Sequence, residues 1–336
     1  MKKVIFLLIF VISIFSIISF SALAFDDMPS DWSTTALQSA VDNGLLTGDG
    51  NLLKPRDTLT RAQMAAIITR AFGAVNEADL SEFSDVPENA WYRDEVAKAY
   101  YMNVFRGDGA GRMNPDNPVT REEAFVVIAR ALYLDENASS DVLSKFDDAD
   151  KVSDWAKGAI SSMVSNFYVN GSNGKINPRG NITRAEFAQL MYNVISLYVD
   201  DASDLDKMSD TNGNVVIRAN VGAISECSCQ RDLIIADGVE GKLVINNVNV
   251  GSRIVIRGNV DLAYKGVVSE IVAVSKNVSV TLEKGAEVDK LTLPEGATLT
   301  DKSKETETPT APVTPSNPVT PPSDSDDDKD IWTNFH

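Results

Sequence analysis

The stretch 91–123, which reads WYRDEVAKAYYMNVFRGDGAGRMNPDNPVTREE, decides the fold because its key positions occur three times in the chain. A glycine stands 16 positions after the tryptophan, a proline follows, and the arginine of a Thr-Arg-x-Glu/Gln box comes six residues after the proline. The same order starts at Trp32 and at Trp155. An internal repeat of about sixty residues predicts three supersecondary units, each of which completes its core against its neighbours.

Each unit is predicted to be a helix, a loop and a second helix. After each tryptophan, apolar residues recur with the period of an amphipathic helix, as Val96 and Ala99 do in the second unit. A glycine-punctuated loop then precedes the proline. The second helix is predicted from a capping box, in which a threonine accepts from the amide three residues later and the Glu or Gln there reaches back. The boxes start at Thr60, Thr120 and Thr183.

This order of residues, with the boxes TRAQ, TREE and TRAE, resembles the S-layer homology (SLH) domain, a module found in tandem triplets. The resemblance covers residues 26–198, and Phe83-Ser84-Asp85 and Phe146-Asp147-Asp148 match the opening motif of the family. It implies an all-α, pseudo-threefold SLH trimer, a three-pronged spindle that binds a secondary cell-wall polysaccharide in grooves between repeats. That glycan is typically pyruvylated, so the resemblance places the protein on the cell wall or cell surface of a Gram-positive-type bacterium.

The candidate polysaccharide-binding residues are the ones that repeat, namely Arg61, Arg121, Arg184, Trp32, Trp91, Trp155, Gly48, Gly107 and Gly171. Each arginine takes the first position of a capped helix, where free amides and the positive end of the helix dipole favour an anion. Its guanidinium suits a carboxylate such as that of a ketal. The tryptophans are suited to stacking on a sugar face, and the glycines allow the backbone to approach the glycan closely.

Each of these residue types also has a plain structural interpretation that the sequence leaves open. Under this interpretation, the arginines pair with neighbouring carboxylates, the tryptophans belong to the core, and the glycines only shape loops. The first copy departs from the family pattern, because Gln63 replaces the glutamate and Met28-Pro29-Ser30-Asp31 is interpreted as replacing the Phe-x-Asp opening. We therefore expect three unequal grooves, with the site of the first copy in doubt.

Residues 1–24 are predicted to be a signal peptide. Lys2 and Lys3 precede an apolar run that reaches Phe20, and Ala22-Leu23-Ala24 is a small-x-small cleavage site. A retained membrane anchor is the alternative, but the run is short for a spanning helix. We therefore expect a secreted chain.

Composition excludes several functions. The chain carries 31 basic and 48 acidic side chains, a net charge of −17. This net negative charge opposes binding to nucleic acid and, after signal cleavage, to membranes. His336 is the one histidine, which removes histidine-dependent catalysis and imidazole metal sites from the body of the chain. With no paired carboxylates either, we expect no enzyme, no metal and no cofactor.

Residues 205–300 are predicted to form a small β-rich domain. Short apolar doublets such as Leu243/Ile245 and Ile254/Ile256 recur at irregular intervals between Gly, Asn and Asp turns, which favours a parallel β-solenoid. A β-sandwich is the alternative. Cys227 and Cys229 leave a local bridge, an intermolecular bridge and a free dithiol open.

The predicted organisation is therefore a signal peptide (1–24), three SLH repeats (26–78, 79–139 and 140–200), the β-rich domain (205–300) and a disordered Pro/Thr/Ser/Asp-rich tail (301–336). The function that follows is a non-catalytic cell-surface protein held non-covalently on pyruvylated wall polysaccharide. A wall-anchored polysaccharide-active enzyme and an S-layer lattice or assembly protein are the alternatives. The partner of the β-rich domain is left open.

Overall fold

A computed structural model of the protein describes residues 25–304, which form a helical region followed by a β-solenoid. The predicted signal peptide and the tail from residue 305 onward lie outside the described residues. None of the helices in the described part of the chain is long and apolar enough to cross a membrane.

The helical region has two α-helices in each repeat: α1 (Thr34–Asp42), α2 (Arg61–Ala71), α3 (Arg93–Tyr101), α4 (Arg121–Ala131), α5 (Lys157–Ser165) and α6 (Arg184–Val194). Short 3-10 helices at Ser140–Lys145, Ala149–Lys151 and Asp154–Ala156 lead into α5. The predicted capping boxes are present at α2, α4 and α6. At α4, Thr120 accepts from the Glu123 amide while Glu123 Oε2 accepts from the Thr120 amide at 2.8 Å. The second helices therefore begin where their local chemistry requires.

The three repeats are joined by a closed ring of main-chain hydrogen bonds. Val119 donates to the Leu59 carbonyl, Ile182 to the Val119 carbonyl, and Leu59 to the Ile182 carbonyl, each at 2.9 Å. All three residues are buried. Each repeat therefore contacts both of the others just ahead of its second helix.

The opening motif of the first repeat is Phe25-Asp26-Asp27, and the interpretation that Met28-Pro29-Ser30-Asp31 replaces it is wrong. The Asp27 carboxylate accepts from the amides of Leu53 and Lys54, both at 2.7 Å. The corresponding aspartates of the other two repeats do the same at 2.7 to 2.9 Å. The motif was missed because it adjoins the predicted cleavage site and lies one residue closer to its tryptophan than in the second repeat.

These buried hydrogen bonds predict a loss of stability in acid. Burial raises the pKa of Asp27 and of Asp148, but the backbone hydrogen bonds they accept outweigh it, so each pKa lies below the ordinary 3.8. Because the folded pKa is lower than the unfolded one, this contribution is complete above about pH 4 and lost as the pH falls through the folded pKa. Urea unfolding across this range is expected to show a falling free energy of unfolding, with a smaller fall in Asp148→Asn. The same slope in both proteins would contradict this account.

The solenoid consists of thirteen strands among the described residues: β1 (Ile195–Val199), β2 (Asn214–Ile217), β3 (Ala223–Ser225), β4 (Ser228–Cys229), β5 (Leu233–Ile235), β6 (Glu240–Asn246), β7 (Asn249–Val250), β8 (Arg253–Ile256), β9 (Asn259–Lys265), β10 (Val267–Ala273), β11 (Ser279–Leu282), β12 (Glu287–Thr292) and β13 (Thr298–Asp301). They form three sheets, ordered β1-β2-β5-β8-β10-β12, β3-β6-β9-β11-β13 and β4-β7. Every pairing is parallel. The predicted β-solenoid is confirmed, with about six turns, and the β-sandwich alternative is wrong.

Apolar side chains stack in register from coil to coil. One core column passes through Val216, Ile234, Val255 and Val272. The sequence intervals between these four residues are unequal because the loops between successive coils differ in length. The first strand lies ahead of the predicted boundary at 205, because α6 runs directly into β1 and Asn214 Nδ2 donates to the Val194 carbonyl at 2.8 Å. The helical region and the solenoid are thus continuous.

Solenoid arginines join the two regions into one compact unit. Four of them donate to carbonyls at the carboxyl ends of helices: Arg218, Arg231, Arg253 and Arg257. Such carbonyls lack partners within the helix and carry the negative end of its dipole, so a guanidinium suits them on both counts. Arg218, for example, donates to the Asn43 and Arg70 carbonyls at 3.2 and 3.1 Å. The solenoid therefore caps the helices.

Arg257 is the most buried of these four arginines, with its side chain 1% exposed. Its Nε donates to Asp237 Oδ2 at 2.7 Å. Its Nη1 donates to the Ala131 carbonyl at 3.2 Å and its Nη2 to the Met102 carbonyl at 3.0 Å. One side chain thus ties the ends of α3 and α4 to the solenoid.

Both cysteines are free thiols in the solenoid. Cys229 is buried, pairs in register with Val250 of the next coil, and has its Sγ 3.3 Å from the Asp232 carbonyl. Burial raises the pKa of Cys229 to about 11, and burial together with Glu226 raises that of Cys227. Neither thiol is activated for chemistry.

Candidate functional site

Three clefts open between the repeats, and each is lined by one arginine, one glycine and one tryptophan of the nine candidate residues. The three sets are Arg61 with Gly107 and Trp155, Arg121 with Gly171 and Trp32, and Arg184 with Gly48 and Trp91. We name these clefts the Arg61, Arg121 and Arg184 grooves; their volumes are about 580, 620 and 620 Å³. The resemblance implied grooves between repeats, and every groove in fact draws on all three repeats.

The grooves take residues from different repeats because each second helix begins against the loop of the next repeat. The Arg61 amide, at the start of α2, donates to the Asn117 carbonyl at 3.0 Å. The Arg121 amide donates in the same way to Gly180. The Arg184 amide closes the cycle by donating to the Asp57 carbonyl at 3.0 Å. Helix N-termini thus meet the turn that follows each repeated proline, at three equivalent junctions.

Arg61 shows how a groove arginine is held. Its Nε donates to the Met113 carbonyl at 2.8 Å and its Nη2 to the Arg106 carbonyl at 3.0 Å. Its Nη1 donates to Glu123 Oε1 at 3.1 Å, and the guanidinium lies over the Phe105 ring. The side chain is only 13% exposed, so it forms the floor of the groove.

Arg121 repeats this arrangement one repeat further on. Its Nε donates to the Ile176 carbonyl at 3.0 Å, and its Nη1 donates to Glu186 Oε1 at 3.1 Å. The alternative that the arginines pair with neighbouring carboxylates therefore describes Arg61 and Arg121.

Arg184 differs from the other two groove arginines. Its Nε donates to the Leu53 carbonyl at 2.8 Å and its Nη2 to the Thr47 carbonyl at 2.9 Å. Among residues 25–304, no carboxylate oxygen lies within 4.0 Å of its nitrogens. Gln63 takes the position that a glutamate holds in the other grooves. Burial lowers the pKa of Arg184, while Asp57 and Asp27 act against that change.

The tryptophans lie at the groove rims. Trp32, Trp91 and Trp155 are 60, 65 and 53% exposed, so the alternative that places them in the core is wrong. An indole exposed to this degree buries little apolar area, so packing in the core does not account for it. Each ring instead presents a surface to the cleft that it lines.

The glycines are required by packing inside each repeat. A Cβ on Gly48 would lie 2.2 Å from Cε1 of Phe25, and one on Gly107 would lie 2.5 Å from Cε1 of Phe83. A Cβ on Gly171 would meet the third opening-motif phenylalanine at 2.7 Å. The interpretation that these glycines shape loops therefore has a physical reason. The phenylalanine ring of each opening motif occupies the space that a side chain at the glycine would need. The same contact brings the loop to the groove wall.

Sequence reasoning missed the cations on the groove walls. Arg130 lines the Arg61 groove and donates from Nε to Glu136 Oε2 at 2.9 Å. Arg70, its counterpart on α2, lines the Arg184 groove. Both stand nine residues after the box arginine, a spacing that the sequence shows in the first two repeats but not the third. No cluster of acidic, cysteine or histidine side chains able to hold a metal occurs within the described residues.

The helical region is thus a binding-type module built from three repeats, with one groove at each junction between repeats. The family model of the S-layer homology domain matches residues 24–65, 82–125 and 145–188. The chain therefore contains three S-layer homology domains. The first match includes the Phe25-Asp26-Asp27 opening.

Known proteins resemble part of the chain. The "Surface-layer 125 kDa protein" of Lysinibacillus sphaericus is 36% identical over 53% of this chain and 15% of its own length. The "Amylopullulanase" of Thermoanaerobacterium thermosulfurigenes is 30% identical over 51% of this chain and 9% of its own length. An undecaheme cytochrome from the S-layer of Carboxydothermus ferrireducens is 16% identical with a TM-score of 0.26, covering 43% of this chain and 18% of that chain. The chain matches less than a fifth of the length of each.

Proposed function

We propose that the protein is a cell-surface protein whose three SLH domains hold it non-covalently on a secondary cell-wall polysaccharide of a Gram-positive-type bacterium. One observation carries the proposal: each groove is lined by both a partly buried guanidinium and an exposed indole. A cation at the floor suits an acidic substituent, and an aromatic rim suits a sugar face. The similarity to surface-layer proteins supports the same location.

The ring of hydrogen bonds among Leu59, Val119 and Ile182 supports a three-pronged spindle of pseudo-threefold character. Three grooves on one body allow a polymer to be held at several points, which raises avidity without any new contact. Since the whole chain carries a net charge of −17, an acidic glycan must be held by local cations. A pyruvyl ketal, which places a carboxylate on a sugar, meets that requirement.

The proposal assigns no catalytic role. The groove guanidinium groups and indole faces bind but do not transfer protons at neutral pH, and the groove glutamates Glu123 and Glu186 are paired with Arg61 and Arg121. The match to an amylopullulanase lies in the SLH region and so concerns attachment. The solenoid then acts as the base of the SLH body, and its own partner is a separate question.

Co-sedimentation with purified wall sacculi tests the proposal. The mature protein is expected to pellet with intact sacculi and to stay in solution with sacculi stripped of their secondary polysaccharide. Equal pelleting with both preparations would contradict the proposal. Release of new reducing ends from the wall glycan would favour the enzyme alternative, and ordered sheets in light scattering or electron microscopy would favour a lattice protein.

A further inference from the structure

The grooves differ in whether their arginine is already neutralised. In the Arg61 groove the guanidinium pairs with Glu123 at 3.1 Å, and in the Arg121 groove it pairs with Glu186 at 3.1 Å. Both glutamates also close their capping boxes. A carboxylate on a ligand would have to displace or share these partners, which reduces what the new ion pair adds to affinity.

The Arg184 groove contains two guanidinium groups without such partners. Gln63 stands where the other grooves have glutamate, and Arg184 has no carboxylate within 4.0 Å among residues 25–304. Arg70 on the wall likewise has no ion pair there and donates from Nη1 to a main-chain carbonyl at 3.2 Å. Its counterpart Arg130 in the Arg61 groove is paired with Glu136 at 2.9 Å.

The other charges of this groove do not cancel the two arginines. Lys54 and Asp49 pair with each other at 2.6 Å. Asp57 is exposed to solvent and lies beyond 4.0 Å from Arg184, so water and salt screen it. Asp27 is engaged by two main-chain amides. A partly buried guanidinium without a close counter-charge is costly, and an anion that enters the groove removes that cost.

We infer that the Arg184 groove is the one that reads the acid group of the glycan, with Arg184 and Arg70 as its carboxylate-binding residues. This inference rests on the proposed function and deepens it, since it assigns the acidic sugar to one groove. The Arg61 and Arg121 grooves then contact the polymer mainly through hydroxyl groups and sugar faces. Gln63, from the first repeat, determines this specificity because it leaves Arg184 of the third repeat without a carboxylate partner.

Calorimetric titration of the full mature protein tests the inference with two probes: purified wall polysaccharide and the same polymer after its carboxyl groups are reduced to alcohols. Gln63→Glu supplies Arg184 with the partner that the other arginines have. It is expected to lower affinity for the acidic polymer by about 10- to 100-fold and to leave affinity for the reduced polymer unchanged. Glu123→Gln and Glu186→Gln are expected to raise affinity for the acidic polymer.

The variants keep the fold, because glutamate at position 63 is the residue that the other two capping boxes contain. Gln230→Glu, an exposed site on the solenoid, makes the same change of charge away from the grooves and is expected to bind as wild type. Wild-type affinity of Gln63→Glu for the acidic polymer, or equal weakening with both probes, would overturn the inference while leaving the proposed function intact. Failure of the wild-type protein to bind either probe would overturn the proposed function itself.

Discussion

Replacing Arg257 by leucine is expected to lower the free energy of unfolding by about 3–5 kcal/mol, because it leaves a buried carboxylate without its partner. The guanidinium is 1% exposed and Asp237 is 11% exposed. Burial raises the pKa of Asp237, and Arg257 is the charge that opposes this. The Met102 and Ala131 carbonyls also lose their donor. The unfolding temperature is expected to fall by roughly 10 °C.

Thermal unfolding followed by tryptophan fluorescence and by circular dichroism measures this effect. Since Arg257 joins both regions, the helical and β signals are expected to shift together. The double variant with Asp237→Leu is expected to recover part of the loss, because no buried charge then remains unpaired. Arg112→Leu is a matched control, since that side chain is 57% exposed and its pair with Asp108 is a surface one. An Arg257→Leu protein that unfolds within a degree of wild type would contradict the role assigned to this arginine.

Local rules made much of the fold predictable. The capping boxes at Thr60, Thr120 and Thr183 act within four residues, so sequence alone identifies the start of each second helix. The apolar doublets of the solenoid predict parallel coils because each pair stacks on the next. The predicted boundary at 205 falls after the first strand, because β1 follows α6 directly and no turn residue marks the change.

The composition of the grooves was not predictable, because it depends on contacts between repeats. The spacing identifies Arg61 and Trp155 as repeated positions, but it does not show that these two residues line the same cleft. The arginines that cap the helices, such as Arg257, follow no repeat in the sequence and are identified only by the carbonyls they meet. Asp27 was hidden beside the predicted cleavage site, although its role is the same as that of Asp148.

The second large effect is expected in the grooves. The protein with Arg61→Gln, Arg121→Gln and Arg184→Gln together is expected to lose binding to acidic wall polysaccharide, because no groove then retains a cation at its floor. A charge-assisted hydrogen bond contributes about 1.5–3 kcal/mol, so the Arg184 groove is expected to lose about 10- to 100-fold in affinity. The loss is expected to be smaller in the other two grooves, where the arginine is already paired with a glutamate, and the losses combine across a multivalent polymer. Glutamine keeps an amide NH2 group that donates to the main-chain carbonyls that hold each arginine.

A matched control removes the same number of positive charges from the solenoid surface, at the exposed residues Lys242, Lys265 and Lys276. It separates the effect of the grooves from the effect of net charge on a strongly acidic chain. Both triple variants are compared with wild type by thermal unfolding before any binding measurement.

Titration of these three proteins with purified acidic wall polysaccharide is the most direct measurement of whether the grooves hold the glycan. Saturable binding by the wild-type protein and by the lysine variant, with none by the arginine variant at the same concentrations, is the predicted result. An arginine variant that stays folded and binds with wild-type affinity would contradict the account.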